Sequence, residues 1–341
     1  MSARAVVRVP GSTSNLGAGF DCVGIAVDRW LSLTAVVEDG ATEPVSLYCE
    51  GTLRGLAVAP GEDRIVAAFT AACDAAGRRV PHGLHIRASS DIPVARGLGS
   101  SAAAVVAGAA AANVLLRLGF DDQRLLELCA AIDGHPDNVA PAIHGGATLA
   151  LSVESGQQLH AGVPAWVTAR IELHPDLALA LAVPDFEAET GFMRAALPAT
   201  VPHAVAARAA ALGAALVSGL TSGNARLLEL ALEDVLHVPF RRGLVQGYDD
   251  VVRAARAAGA FGATLSGSGS AVCGLTSRNA VNDVAAAMVE AWRRLDVRAE
   301  AIVCESPARG YSATVGEEYG YEPDSGAAAT AQNTSGQPRR T

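Results

Sequence analysis

Residues 93–103 read Pro-Val-Ala-Arg-Gly-Leu-Gly-Ser-Ser-Ala-Ala and carry the densest chemical signal in the chain. Gly97 and Gly99 allow tight backbone turns and close approach by a ligand. Ser100 and Ser101 supply hydroxyls where an Ala-rich helix should begin. The first N–H groups of a helix lack intrahelical partners and lie at the positive end of its dipole, so such a start attracts anions. An ordinary helix start after a Gly turn has the same local form, and local chemistry alone does not separate the two.

The rest of the composition narrows the chemistry. All 26 basic residues are Arg and none is Lys. That excludes a P-loop ATPase, a protein kinase built on a strand Lys, and enzymes that need an amine nucleophile. Phosphate chemistry would have to rest on backbone N–H groups, Arg and metal ions. A net charge of −9 argues against nucleic acid and against an anionic membrane surface as partners. The eight His form no zinc spacing. Gly267-Ser-Gly269 lacks the GxGxxG spacing of a dinucleotide site. Six Cys, with no CxxC pair, read as small buried hydrophobes of a reducing cytoplasm.

These groups need elements to hold them. Residues 5–9 and 31–37 predict strands on either side of a Gly-rich loop, 10–21. A helix is predicted at 63–76 and a strand at 83–89. Loop 91–99 should lead into the Ala-rich helix, with Ser100 and Ser101 as its caps. A further helix at 122–132 should run into a connecting segment, 134–141. The turn at 155–158 suggests two domains, 1–155 and 156–309. The second would hold a strand at 177–183, helices at 203–218, 224–236 and 248–258, and a strand–turn–helix over 262–291. This order suits an α+β protein. The tail 310–341 reads as disordered. Residues 1–10 lack the apolar core of a signal peptide. The one membrane candidate, 102–116, is shorter than the roughly 20 residues a span requires.

The segment PxxxGLGSSAA resembles the central ATP-binding motif of the GHMP kinases, and two further motifs fall in the expected order. Val9-Pro-Gly-Ser-Thr-Ser-Asn-Leu-Gly-Ala-Gly-Phe-Asp21 resembles the first motif in the form found in homoserine kinases. Gly262-Ala-Thr-Leu-Ser-Gly-Ser-Gly-Ser-Ala-Val272 resembles the third, and His135-Pro-Asp-Asn-Val-Ala-Pro141 is similar to a segment of the homoserine branch. The chain departs from the family pattern at Ser268, Ser270 and Ala18, where the residues remain small. It departs again near Asp63-Arg64-Ile65, in place of an Asn that holds adenine.

The resemblance implies an N-terminal domain like domain 2 of ribosomal protein S5 and a ferredoxin-like C-terminal domain. It implies transfer of the ATP γ-phosphate to the hydroxyl of L-homoserine, on the way to threonine. Another small alcohol, mevalonate or a sugar, is the alternative acceptor; a non-catalytic nucleotide-binding regulator is the alternative class. By the same resemblance Pro93, Arg96, Gly97, Leu98, Gly99, Ser100, Ser101, Ala102, Gly267 and Gly269 bind the phosphates. Ser100 and Glu127 would hold Mg²⁺, with Asp133 competing for the metal. Asn15 and Asp21 would meet the amino end of the acceptor, while Arg194, in a segment opened by Thr190, and Arg241 would grip its carboxylate. Asp137 is either a base or a loop residue beside Asn138, and His135 orients the substrate or the loop. A homodimer is compatible with the family.

Overall fold

The computed structural model describes residues 2–38, 40–41, 45–56, 63–153 and 166–318. Strands β1 (Ser2–Asn15) and β2 (Gly19–Val37) form one long antiparallel ribbon. Residues 10–21, expected as a loop, mostly belong to it: Gly11 to Ser14 pair with Val27 to Gly24 after a register shift at Pro10/Gly11. That shift takes in Pro10, which has no N–H to give to a regular ladder. Only residues 16–18 turn, with Asn15 and Leu16 at φ 71° and 45°.

After β3 (Ser46–Gly51) comes α1 (Arg64–Ala75), whose cap Asp63 accepts the N–H groups of Ile65 and Val66. In β4 (Leu84–Ser90), Leu84, Ile86 and Ala88 point into the core, as their alternation predicts. Helix α2 (Ser100–Leu115) is apolar all round and almost wholly buried. Gly108 lets α1 pack tightly on it, because a Cβ there would lie 2.1 Å from the Ile65 carbonyl oxygen. Ser100 and Ser101 do not cap α2; the cap position is Gly99, in the left-handed region, and the serines are the first two helical residues.

Helix α3 (Asp122–Asp133) is capped by Asp121. The segment expected to connect at 134–141 is itself mostly helical, forming α4 (Pro136–His144) with Pro136 in its first turn, where a missing N–H costs nothing. Strands β5 (Ala147–Ser152) and β6 (Trp166–Ile171) complete one edge of a seven-stranded sheet in which β2 is central.

The second sheet begins with β7 (Leu177–Pro184). Helices α5 (Thr190–Ala195), α6 (His203–Ser222), α7 (Ala225–Ala231), α8 (Val238–Arg241) and α9 (Tyr248–Ala257) follow. Then come β8 (Gly262–Leu265), β9 (Val272–Ser277), α10 (Val281–Arg293) and β10 (Ala299–Cys304). The region expected as strand–turn–helix therefore holds a hairpin, β8–β9, before its helix. The sheet order β10-β7-β9-β8, with antiparallel neighbours, is the split βαβ arrangement of a ferredoxin-like unit. Strand β7 is buried on both faces. Its Leu177, Leu179, Leu181 and Val183 join the core shared with the first sheet, while Ala178, Ala180 and Ala182 face the cluster under α9 and α10. Of the helices, α6 is long and apolar enough by composition to cross a membrane, a feature the sequence had assigned only to 102–116; in the fold it packs through Leu212, Leu216 and Leu220.

Two expectations about organisation change. Strand β11 (Ser312–Glu318) lies inside the stretch expected to be disordered, and it pairs antiparallel with β1 from Ser2↔Glu318 to Arg8↔Ser312. Pairing requires no hydrophobic run, only a free edge, which is why composition missed it. The turn at 155–158 and residues 319–341 lie outside the described residues. Both β6 and β11, beyond residue 155, belong to the first sheet, so its strands do not end where the linker composition changes.

Candidate functional site

A cleft of about 870 Å³ opens where the turn of the β1–β2 ribbon, the loop before α2, the start of α4 and the β8–β9 turn converge. The loop before α2 is held by its neighbours' backbone. Ser12 N–H donates to the Leu98 carbonyl at 3.0 Å, and Ala271 N–H donates to that of Arg96 at 3.1 Å. The Ser266 hydroxyl donates to the Gly97 carbonyl at 2.6 Å. Gly97 and Gly99 sit at φ 75° and 68°; a Cβ would come within 1.9 Å of the Ser266 carbonyl oxygen and 2.1 Å of Ser12 Oγ. Only glycine fits there. The result is that Gly97 to Ala102 line the cleft and the uncapped first turn of α2 faces it.

Not every residue expected at the phosphates is there. The Arg96 guanidinium donates to the carbonyls of Val94, Pro184 and Asp185 and pairs with Glu187, so it braces the two sheets and does not line the cleft. Pro93 and Gly269 are also absent from the cleft wall, whereas Gly267 and Ser268 form part of it. Beyond the loop, Leu47, Cys49, Leu53, Leu56 and Ile65 make one end of the cleft apolar. A flat base would suit that end.

Of the two carboxylates expected to compete for a metal, Asp133 lines the cleft and Glu127 does not. Glu127 is not part of the cleft wall; its carboxylate accepts from Gln123 at 3.1 Å and pairs with Arg124 at 3.5 Å. It lies six residues before Asp133 on α3, roughly 240° around the helix, so the two cannot share a face. Asp133 lines the cleft with its side chain only 5% exposed, and Ser101 Oγ donates to it at 2.6 Å. No trio of His, Cys, Asp or Glu suited to a metal exists among the described residues. Mg²⁺ needs none, since it keeps water and substrate phosphates as ligands and takes one or two protein oxygens. Asp133 and Ser100 fit that requirement.

At the start of α4, Asp137 is buried and Asn138 is locked in place. Asn138 Oδ1 accepts from Ser12 Oγ at 2.9 Å, and its Nδ2 donates to Ser14 Oγ at 3.0 Å. Gly24 permits this docking, because a Cβ there would strike the Asp137 carbonyl oxygen at 1.8 Å. Burial, with added repulsion from Asp21 and Asp133, pushes the Asp137 carboxyl up from 3.8 to about 6, against the opposing hydrogen bond from Ser14 and the His135 charge. The His135 pKa is raised as well, but toward the charged form: its bond to Asp133 favours the imidazolium despite burial. Its Nδ1 lies 3.0 Å from the Asp133 carbonyl oxygen.

At the opposite end, the groups expected to receive a zwitterion are paired with each other. Arg194 Nη1 donates to both oxygens of Asp21, at 3.0 and 2.8 Å. Asn15 Oδ1 accepts the Asp21 N–H at 2.9 Å, and Asn15 Nδ2 donates to the Gly267 carbonyl at 2.8 Å, so Asn15 fixes the turn more than it fills the cleft. Thr190 Oγ1 is 3.4 Å from Ser268 Oγ. Arg241 is 2% exposed yet reaches the cleft wall; its Nε donates to the Met193 carbonyl at 3.0 Å. Three neighbours had no place in the sequence expectations: Phe20, Asp234 and His237. Their segments were flagged, but only a fold shows that Phe20 stacks on His237 with ring centroids 4.9 Å apart.

Comparison with known proteins gives a consistent result. Residues 63–146 match the model "GHMP kinases N terminal domain" and residues 209–294 match "GHMP kinases C terminal". The homoserine kinase of Gloeobacter violaceus is 39% identical over 295 residues, covering 84% of this chain and 92% of that one. A crystal structure of homoserine kinase from Cytophaga hutchinsonii superposes with a TM-score of 0.80 at 26% identity, over 91% of this chain and 97% of that one. The mevalonate kinase of L. major, 16% identical with a TM-score of 0.64 over 86% and 94% of the two chains, shares the fold.

Proposed function

The chain belongs to the GHMP kinases and, within them, to the homoserine kinases, and from that premise we propose that it phosphorylates L-homoserine with ATP to give O-phospho-L-homoserine and ADP, a step of threonine biosynthesis. The observation that carries the assignment is one cleft holding both an anion cradle, Gly97 to Ala102, and a pair of charges matched to a zwitterion, Asp21 and Arg194. Asp21 and Arg194 are each about two-fifths exposed. Such a pair contributes at most about 1 kcal/mol, so an amino acid can replace it cheaply, its ammonium on Asp21 and its carboxylate on Arg194 and Arg241. Mevalonate, with no ammonium, would leave Asp21 unpaired. A sugar would use neither Arg.

The chain's own groups then do the following. The α2 N-terminus and the glycines hold the phosphates by backbone N–H donors. Asp133 and Ser100 would hold Mg²⁺, which would neutralise charge on the transferred group. The two arginines orient the acceptor so that its hydroxyl faces the γ-phosphate. Asp137 accepts the hydroxyl proton, its pKa of about 6 leaving it mostly ionised but basic at neutral pH. His135, held by Asp133, orients the segment that carries Asp137.

The test is ADP release from ATP and Mg²⁺ with L-homoserine, mevalonate, galactose or no acceptor. Turnover confined to homoserine is the expected result. Turnover with another alcohol keeps the kinase and discards the zwitterion site; ATP binding without turnover on any acceptor points to a nucleotide-binding regulator.

A further inference from the structure

The buried imidazole behind the acceptor site has a fixed set of partners. His237 is 0% exposed and stands at the cap position of α8, four residues before Arg241. Its Nε2 is 3.2 Å from the Gly17 carbonyl oxygen, an acceptor, so Nε2 carries the proton. Nδ1 is then a lone-pair acceptor, and the Arg241 Nη1–H donates to it at 3.3 Å. One tautomer satisfies both contacts, and it is neutral. Burial agrees, pushing the pKa down to about 4.

The ring is held from three other sides. Asp234 accepts the backbone N–H groups of Leu236, His237 and Val238 at 3.0, 2.6 and 2.7 Å, which pins the start of α8. Phe20 stacks on the imidazole, 16° from parallel. The guanidinium carbons of Arg241 and Arg194 lie 5.5 and 5.6 Å from the Phe20 ring centre. On the ribbon side, Ala18 N–H donates to the Ala231 carbonyl at 3.0 Å, and Gly17 has no room for a Cβ against Ala231 and Leu232. The turn that presents Asp21 is thereby keyed to the segment that presents Arg241.

We propose that His237 is a positioning residue for the acceptor: through Nδ1 it aims the Arg241 guanidinium into the cleft, and through Nε2 it ties that aim to the Gly17 turn carrying Asp21. With Nε bound to Met193 and Nη1 to His237, Arg241 can present its remaining edge to a carboxylate in one orientation. His237 touches no substrate itself. The proposal rests on the reading of Arg241 as a carboxylate-binding group, and its test separates the two.

His237→Leu, His237→Asn, Arg241→Ala and the Arg241→Ala/His237→Leu double variant are compared with the unaltered enzyme by steady-state kinetics and thermal unfolding. Leu should raise the KM for homoserine roughly tenfold while the ATP KM and kcat stay within about twofold. Asn places its side-chain oxygen where Nδ1 was and should recover most of that loss. The double variant should bind homoserine no worse than Arg241→Ala alone, the non-additivity of two residues acting through one contact. If His237→Leu leaves the homoserine KM unchanged while Arg241→Ala raises it, the positioning role is wrong and the role of Arg241 stands. If Arg241→Ala leaves it unchanged, both fall. Equal losses for ATP and homoserine in both His237 variants would mark a general packing role and overturn the proposal.

Discussion

Asp137, as the proposed base, sets function against stability at one residue. Its pKa of about 6 means that the folded chain holds this proton more tightly than the unfolded chain, where 3.8 is usual. Through Asp137 alone, stability therefore grows as pH falls from 6 towards 4, and at pH 7 the ionised carboxylate costs up to about 3 kcal/mol. His237 works in the opposite sense. Depressed from 6.5 to about 4, it contributes stability that is complete above pH 6.5 and lost as pH falls towards 4. In the native protein the two effects largely offset one another across that window. Asp137→Asn should separate them: kcat falls by about 10²-fold or more, Tm at pH 7 rises, and Tm then declines steadily from pH 6.5 to 4. Thermal unfolding at several pH values with parallel rate measurements checks this. A variant no more stable than the parent at pH 7 would remove the argument that burial raises this pKa.

At the scale of elements, the phosphate loop owes its shape to a partner it does not meet in sequence. Ser266, from the β8–β9 turn, is 0% exposed; it donates to the Gly97 carbonyl and lies 2.8 Å from Thr13 Oγ1. One hydroxyl thus joins the ribbon, the loop and the hairpin, three segments that must agree for the α2 N-terminus to face the cleft. Removing it leaves the buried Thr13 hydroxyl and Gly97 carbonyl without this partner, which costs about 1–3 kcal/mol. Ser266→Ala should raise the ATP KM several-fold and lower Tm, while the homoserine KM measured at saturating ATP changes little. An unchanged ATP KM would show that Gly97 and Gly99 hold the loop unaided.

Over the whole molecule, the chain returns at its far end to the sheet where it began. Ala308 N–H donates to the Ala26 carbonyl and Tyr311 N–H to that of Ala142, at 3.1 and 2.9 Å, before β11 covers the edge of β1. Ala142 lies on α4, whose first turn holds Asp137 and Asn138, so this return brings backbone support to the proposed catalytic segment from residues more than 160 positions away. A stop codon after Gly310 would expose the β1 edge and delete the Tyr311 contacts, including its hydroxyl bond to Asp122. Loss of a strand's ladder and its covered apolar edge should lower Tm by roughly 5–10 °C and promote association through the bared edge. Calorimetry and light scattering on the truncated protein test this. A Tm equal to that of the full chain would show that β11 is dispensable.

How much of this could be read from residue order depends on whether the cause is local. The α2 start, the Gly turns at 97 and 99 and the alternating strands follow from neighbours along the chain, and they were legible; the Asp63 and Asp121 caps are as local but were not read. The phosphate cradle and the charges of the acceptor end were legible through the resemblance of whole motifs, since local chemistry alone left the cradle open. Other features depend on pairing across the fold. Arg96 looks like a phosphate ligand until Pro184 and Asp185 arrive to take its donors. Glu127 and Asp133 are both acids on one helix, and residue order does not show that only Asp133 lines the cleft. Asp21 and Arg194 were each assigned to a substrate, and the structure pairs them with one another first. His237 and Phe20 lie in flagged segments but had no role assigned, because their role consists of contacts between segments more than 200 residues apart. Sequence by itself determined which chemical groups the protein owns and where helices and turns can begin. Tertiary structure decided which of those groups have partners already, since a hydrogen bond or ion pair formed inside the fold removes a group from the set that can serve a ligand.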